Sequence, residues 1–175
     1  AQTLTINKAD TAFTHTIQYT VGSASGTIAT KTSAVNVNWT PPLSLAAQNT
    51  TGKTLSCKLT LTTYSGSTAV GTSEITISLT IPSSTAPTVT AAYEPVNSLP
   101  DAFDGLYVQG KSRVKASYTA TGKYGASIKN FVSTINGKAT THTESTITSE
   151  VITKSGAVSV LVKATDSRGY STTEA

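Results

Sequence analysis

Leu55-Ser-Cys-Lys-Leu-Thr-Leu61 decides the fold, because apolar and polar side chains alternate strictly along it. A period of two places every second side chain on the same face of an extended strand. One face of this strand is therefore predicted to be buried and the other hydrated, which is typical of antiparallel sheets. Cys57 falls on the buried face, so we interpret it as a small core residue and not as a nucleophile.

The same alternation recurs along the chain and predicts further strands. Thr146–Thr153 is a weaker candidate. In the first half, the side chains predicted to face inward are Phe13, His15, Ile17, Tyr19 and Val21; Val35, Val37 and Trp39; and Ile75, Ile77, Leu79 and Ile81. In the second half they are Val89, Ala91 and Tyr93; Val114, Ala116 and Tyr118; and Val158, Val160, Val162 and Ala164.

Turn residues separate these segments. Asn136-Gly137 predicts a tight hairpin, because both central positions of a type I′ turn need a positive φ. Asp166-Ser-Arg-Gly169 predicts a turn in which Asp bonds its own backbone and Gly takes the left-handed position. Gly22–Gly26 is predicted to be a loop, Leu43–Ala47 one helical turn, and Gly71 a bulge or bend. The chain is therefore predicted to be all-β.

Pro82-Ser-Ser-Thr-Ala-Pro87 divides the chain into two patterned halves, since two prolines around small polar residues make a short, stiff connector. We predict two tandem immunoglobulin-like antiparallel β-sandwich domains, at residues 1–83 and 84–175. Few residues follow Gly169. We therefore expect either a short edge strand at Ser171–Glu174 or a second domain whose natural C-terminal continuation lies beyond this sequence.

Composition and charge narrow the function classes. The net charge of the 175 residues is +4, and only 13% of them are charged. Their Lys and Arg residues are scattered and form no basic stripe, so we expect no nucleic-acid partner. No apolar run is long enough to span a bilayer, so membrane insertion is not expected. The single cysteine permits no internal disulfide and favours a bacterial or viral protein made in a reducing cytoplasm.

Residues for chemistry are few. His15, His142 and Cys57 are far apart in the sequence and make a poor zinc-ligand set. We therefore expect no cofactor, no catalytic residues and no enzymatic activity. Asp101 and Asp104, in a loop that ends at a glycine, are the best candidates for a metal site, because two carboxylates can offer oxygen ligands to Ca²⁺. Their spacing does not match the EF-hand loop, and turns use Asp to bond the backbone, so an ordinary turn is the preferred interpretation.

Four tyrosines in the second half, at strand ends and loops, are candidates for a ligand-binding surface. Such positions on sandwiches often carry binding residues, and Tyr gives a large contact area at low entropic cost. The alternative is ordinary packing at the rim of the sandwich. The four residues are Tyr93, Tyr107, Tyr124 and Tyr170.

Several stretches carry a resemblance to a known family. In the first half they are Val37-Asn-Trp-Thr-Pro-Pro-Leu-Ser-Leu-Ala46, Leu59-Thr-Leu-Thr-Thr-Tyr-Ser-Gly-Ser-Thr68, Val70-Gly-Thr72 and Leu79-Thr-Ile-Pro82. In the second half they are Ala126-Ser-Ile-Lys129, Ile135-Asn-Gly-Lys138 and Val160-Leu-Val-Lys-Ala-Thr-Asp-Ser-Arg-Gly169. With these stretches the chain resembles a tail-associated structural protein of siphophages that infect streptococci and related Gram-positive bacteria, and its second half resembles that family's immunoglobulin-type repeats.

The resemblance implies a virion tail component that spaces or presents a host-recognition element. Its expected partners are other virion tail proteins or a host cell-surface glycan, and a homo-oligomer is an open option. Two other functions stay open. One is a carbohydrate-binding or adhesive module, located outside the cell or on the bacterial surface. The other is an accessory domain of a cell-wall enzyme whose catalytic part lies outside these residues.

Overall fold

The computed structural model describes residues 1–97 and 99–175. These residues form antiparallel strands joined by turns and by short 3-10 helices, so the predicted all-β class is confirmed. The chain divides into two compact units, Ala1–Pro82 and Ser83–Ala175, called here the first and second units. No helix among the described residues has the length and apolarity to cross a membrane.

The first unit contains two sheets. A four-stranded sheet has the order β3-β2-β5-β6, and β1 pairs with β4 in a separate two-stranded sheet. A 3-10 helix at Leu43–Gln48 follows β4 and matches the predicted helical turn. The strands are β1 (Gln2–Thr5), β2 (Thr14–Val21), β3 (Ala24–Thr32), β4 (Asn36–Trp39), β5 (Thr54–Ser65) and β6 (Thr68–Thr80).

The core of the first unit lies on the face that the alternation predicted. Cys57 is fully buried, which confirms its assignment to the core. Trp39 from β4 is also buried and stacks on Tyr19 of β2, with 5.1 Å between ring centroids. Leu45 and Ala46 from the 3-10 helix complete this core. The period of two therefore identified the buried face of β2, β4 and β5.

Three residues predicted to face inward are exposed instead, one of them Tyr93 in the second unit, which is 37% exposed. Val35 precedes β4 and is 49% exposed, and Ile75 in β6 is 61% exposed. Ile75 pairs with the buried Leu59, so the pattern assigned it to the correct face of the sheet. A second layer of two short strands and one 3-10 helix is too small to cover four strands, and the side chain of Ile75 stays in water.

β3 was not predicted, because the segment from Gly22 to Gly26 was interpreted as a loop. The loop consists of Gly22 and Ser23 alone, with Gly22 at a φ of 56°. β3 starts directly afterwards, at Ala24. Apart from Ile28, its residues are small or polar, and all are half-buried or exposed, so no apolar alternation marks it. The predicted irregularity at Gly71 is present, since the β5–β6 register shifts beside it and leaves Val70 unpaired.

The second unit has seven strands in two antiparallel sheets among its described residues. One sheet has the order β11-β8-β7 and the other the order β10-β9-β12-β13. The short edge strand expected at the C-terminal end is β13, and β11 covers only the start of the weak candidate Thr146–Thr153. The strands are β7 (Thr88–Val96), β8 (Arg113–Thr121), β9 (Ile128–Ile135), β10 (Lys138–His142), β11 (Thr146–Thr148), β12 (Val160–Asp166) and β13 (Ser171–Glu174).

The two sheets of the second unit share one core. Ala116 and Tyr118 from β8 pack with Phe131, Val162 and Ala164 from β9 and β12. Asn136 and Gly137 join β9 to β10 with φ angles of 49° and 83°, which confirms the predicted hairpin. The second unit is thus a sandwich with β10 and β11 at edges of its two sheets.

Candidate functional site

One cavity of the second unit is a groove between the edge strands β10 and β11, called here the edge groove. It opens where the two sheets end and has a volume of about 280 Å³. Apolar side chains of Ile135, Ile147 and Ile152 line it together with polar side chains. The polar lining residues include Asn136, Lys138, Thr140, Thr148, Ser149, Glu150, Thr153 and Lys154.

The segment after β11 forms one wall of the edge groove and is fixed by backbone hydrogen bonds. The N–H of Ser149 donates to the carbonyl of Val114, and that of Ile152 donates to the carbonyl of Ser112, both at 2.8 Å. Ile152 also packs against Val114 and Ile135 in a small apolar cluster. This wall therefore continues the hydrogen bonding of the sheet beyond β11, although it is not regular strand.

An ion pair stands at the rim of the edge groove. Lys138 Nζ lies 2.5 Å from Glu150 Oε1, and both side chains are largely exposed. The hydrogen bond from Lys138, and then its positive charge, lower the pKa of Glu150. No aromatic ring lines the groove among the described residues. The groove can therefore offer hydroxyl, amide and charged groups to a ligand, but no ring for a sugar to stack on.

Behind the groove lies a buried chain of hydrogen bonds. The oxygens of Tyr118 and Ser133 are 2.7 Å apart, and Ser133 Oγ is 2.6 Å from His142 Nε2. His142 Nδ1 lies 2.8 Å from the carbonyl oxygen of Glu144. A carbonyl oxygen only accepts, so Nδ1 carries the proton of the neutral ring. In that form of the ring, Nε2 accepts from Ser133, and Ser133 in turn accepts from Tyr118.

His142 ends the edge strand β10, whose other residues are exposed. Its ring is half-buried and lies 5.7 Å from the ring of Phe131 and 5.8 Å from that of Tyr118. Its neighbours Thr140, Thr141 and Thr143 are polar, so no local pattern marked a buried partner. The contacts of His142 with the core follow from the pairing of β10 with β9 and could not be predicted from the local sequence.

Ser133 and His142 lie as close together as a catalytic nucleophile and its general base, but their surroundings differ from those of a catalytic site. Ser133 is 1% exposed, so a substrate cannot reach its oxygen in this conformation. The third group is a backbone carbonyl and not a carboxylate. The arrangement satisfies three polar side chains inside the sandwich, which buried polar groups require.

None of the four candidate tyrosines lines the edge groove. Tyr93 and Tyr107 each have a raised pKa, first because of partial burial and then because of nearby groups that include Glu174 and Glu94, respectively. Tyr124 and Tyr170 both adjoin the turn after β12 through their backbones. Whether they bind a ligand stays a prediction.

The turn after β12 holds a buried network that the sequence analysis interpreted as a simple turn. Asp166 Oδ1 accepts from the N–H groups of Arg168 and Tyr170 at 3.0 and 2.9 Å. The buried guanidinium of Arg168 donates to the carbonyls of Lys123 and Tyr124 at 2.9 and 2.7 Å. Arg168 thus ties this turn to the segment between β8 and β9, and the turn is built around a buried charge.

The candidate metal residues lie at an exposed 3-10 helix. Asp101 begins it and Asp104 follows it, with the N–H of Asp104 donating to the carbonyl of Asp101 at 3.0 Å. No group of three His, Cys, Asp or Glu side chains able to hold a metal occurs in the described part of the chain. The backbone hydrogen bond is that of an ordinary turn, and a metal at Asp101 and Asp104 stays a prediction.

Comparison with known proteins gives one family. A family model described as "Siphovirus protein of unknown function (DUF859)" matches residues 1–174. The sequence matches no curated protein and no solved structure.

Proposed function

The chain belongs to this siphovirus protein family, and on that premise we propose that it is a non-enzymatic structural and interaction protein of the phage tail. In this role the two units space or present a host-recognition element in the virion. The observation that carries the proposal is the family match over nearly the whole chain. Two compact all-β units in tandem suit such a spacer, because each unit buries its own core.

An immunoglobulin-like fold of the second unit is part of the proposal. Its three-stranded sheet and four-stranded sheet pack over one core, as in the sandwiches of that group. Its polar interior supports a non-enzymatic role, because the serine beside His142 is closed off from solvent.

Location in the tail is tested on purified phage particles. Heads and tails are separated, and peptides of this chain are measured by mass spectrometry in each fraction. We expect the chain in the tail fraction, at a constant ratio to the major tail protein. Recovery with heads alone, or absence from particles that infect normally, contradicts the proposal. The purified chain is then added to host cells before the phage. Reduced phage adsorption indicates that the chain contacts the host directly, and unchanged adsorption indicates a presenting role.

A second candidate function is binding of a host-surface glycan, and the edge groove is the feature that favours it. Its wall offers several hydroxyl and amide groups beside the Lys138–Glu150 pair. A pull-down with host cell walls tests this candidate, with Lys138→Ala and Glu150→Ala as groove variants and Lys163→Ala, in the exposed part of β12, as the control. If host cell walls retain the wild-type chain and both groove variants are retained less, glycan binding is supported. If the walls do not retain the wild-type chain, glycan binding is rejected.

A further inference from the structure

We propose that the free edge of β6 pairs antiparallel with β6 of a second copy of this chain. β6 is 13 residues long and lies at the end of the sheet order β3-β2-β5-β6. In the described part of the chain, no strand pairs with its outer side. From Gly71 to Leu79 the paired strand would extend for about 31 Å, at roughly 3.4 Å per residue. A row of open backbone groups of this length is a template for a further strand.

Beyond the bulge at Val70, β6 lacks the features that normally protect such an edge. It contains no Pro and no Lys, and its single charged residue is Glu74. The charge of Glu74 is balanced within the same sheet, because Lys58 Nζ on β5 lies 3.0 Å from its carboxylate. Nothing along the free edge therefore repels an approaching strand.

The other long edges among the described residues are protected. The register of β3 shifts twice against β2, and Lys31 on β3 has a φ of 44°, so this edge is bent. β7 carries Pro95, which cannot donate to a ladder. β10 is only five residues long and begins with Lys138. The contrast assigns the pairing to β6 and to no other edge.

Exposed apolar side chains mark the same strand. Ile75 is 61% exposed and Val70 is 53% exposed, which is unusual for residues of a sheet that has a core. Ile77, two positions from Ile75, is half-buried on the same face. A strand added beside β6 would cover Ile75 and extend the apolar face of the sheet sideways.

A second copy suits this edge because β6 is complementary to itself. In an antiparallel pair with a two-fold axis at Ile75, Ile75 faces its own copy and Glu74 faces Thr76. Ser73 then faces Ile77, so no like charges lie opposite each other. Such an interface uses the same patch on both copies, as two-fold dimers do. This inference does not rest on the tail assignment, because it follows from β6 alone.

Sedimentation of the full chain over a wide concentration range tests the pairing. We expect a reversible monomer–dimer equilibrium. Ile75→Lys places two like charges at the centre of the pair and should weaken dimerisation at least about tenfold. Val35→Lys makes the same change at another exposed apolar residue of the first unit, outside β6, and should leave dimerisation unchanged. Circular dichroism confirms that both variants fold.

Cysteine crosslinking gives an independent readout that does not depend on a disruptive variant. With the native thiol of Cys57 buried, Ile75→Cys should yield a disulfide-linked dimer under mild oxidation, whereas Val35→Cys should not. A wild-type chain that stays monomeric at every concentration overturns the proposal. So does a dimer that Ile75→Lys leaves intact and that Ile75→Cys fails to crosslink.

Discussion

His15 and Asp166 each bury one polar atom that has no hydrogen-bond partner among the described residues, His15 Nε2 and Asp166 Oδ2. The two sites differ in their surroundings. Asp166 Oδ1 is held by two N–H groups of its own turn, whereas His15 has one contact, from Nδ1 to Thr63 Oγ1 at 3.1 Å. His15 therefore has the fewer hydrogen bonds of the two, and protonation of its buried ring should destabilise the fold.

We predict that His15 makes the stability of the first unit depend on pH. Burial, and then the positive charge of Lys8, lower the pKa of His15, so the folded state favours the neutral ring. The unfolded chain takes up its proton near pH 6.5. Stability is then complete above about pH 6.5 and is lost as the pH falls toward the lower folded pKa, by up to about 1.4 kcal/mol per pH unit.

Fluorescence of Trp39 measures this effect, because Trp39 is the only tryptophan and lies in the first unit. Urea midpoints are compared between pH 7.5 and 5.5 for the wild type and for His15→Leu. The wild type should lose stability over this range, and the variant should show a flatter profile. Equal slopes would mean that another group titrates.

At the scale of single elements, alternation predicted the strands that have one buried face. Leu55, Cys57 and Leu59 on β5 are buried as their pattern required. β3 escaped prediction because Ile28 is its only large apolar residue, so its place is set by pairing with β2 and not by an alternation of its own side chains. The edge groove could not be predicted either, since it depends on where two sheets end.

The β9–β10 turn is the element whose backbone conformation the sequence predicts most directly. We predict that Gly137→Ala lowers the free energy of unfolding of the second unit by about 1–2 kcal/mol, because an L-residue at a φ of 83° is strained. No other residue lies within 4 Å of an added Cβ, so the cost is conformational and not steric. The free energy of unfolding is measured from the loss of the NMR signals of the second unit as the urea concentration rises.

Two substitutions control this prediction. Gly137→Asn should cost less, because Asn tolerates the left-handed region. Gly71→Ala should be close to neutral, since its Cβ would also meet open space and its φ is not positive. If the Ala and Asn variants at position 137 are equally stable, backbone strain is not the cause.

At the scale of the whole molecule, the chain consists of two units with separate cores. The proline-flanked connector suggested this division, because stiff polar segments between patterned halves commonly join domains. Function was less accessible. The residues revealed no reactive centre, and the family was reached through resemblance of whole stretches. The sequence contains no short motif of the kind that identifies a catalytic or metal site. A protein that spaces or presents another element needs no such motif.

We predict that each unit folds when expressed alone, as residues 1–82 and 83–175. Each should show a cooperative thermal transition and dispersed NMR signals, because each has its own sheets and buried residues. As a control, a piece that ends within β5 should not fold, since it loses part of the central pairing of the first unit. Failure of either intact piece would show that its core needs the rest of the chain.

The bent edge at β3 has a consequence for how far assembly can proceed. A sheet with two open edges can recruit copies at both ends and grow into a fibre. Here the register shifts of β3 block one end, so association through β6 consumes the remaining one in both copies. The dimer proposed above would be an eight-stranded sheet with β3 at both of its outer edges, and the bent backbone of β3 would hinder the addition of a third copy there.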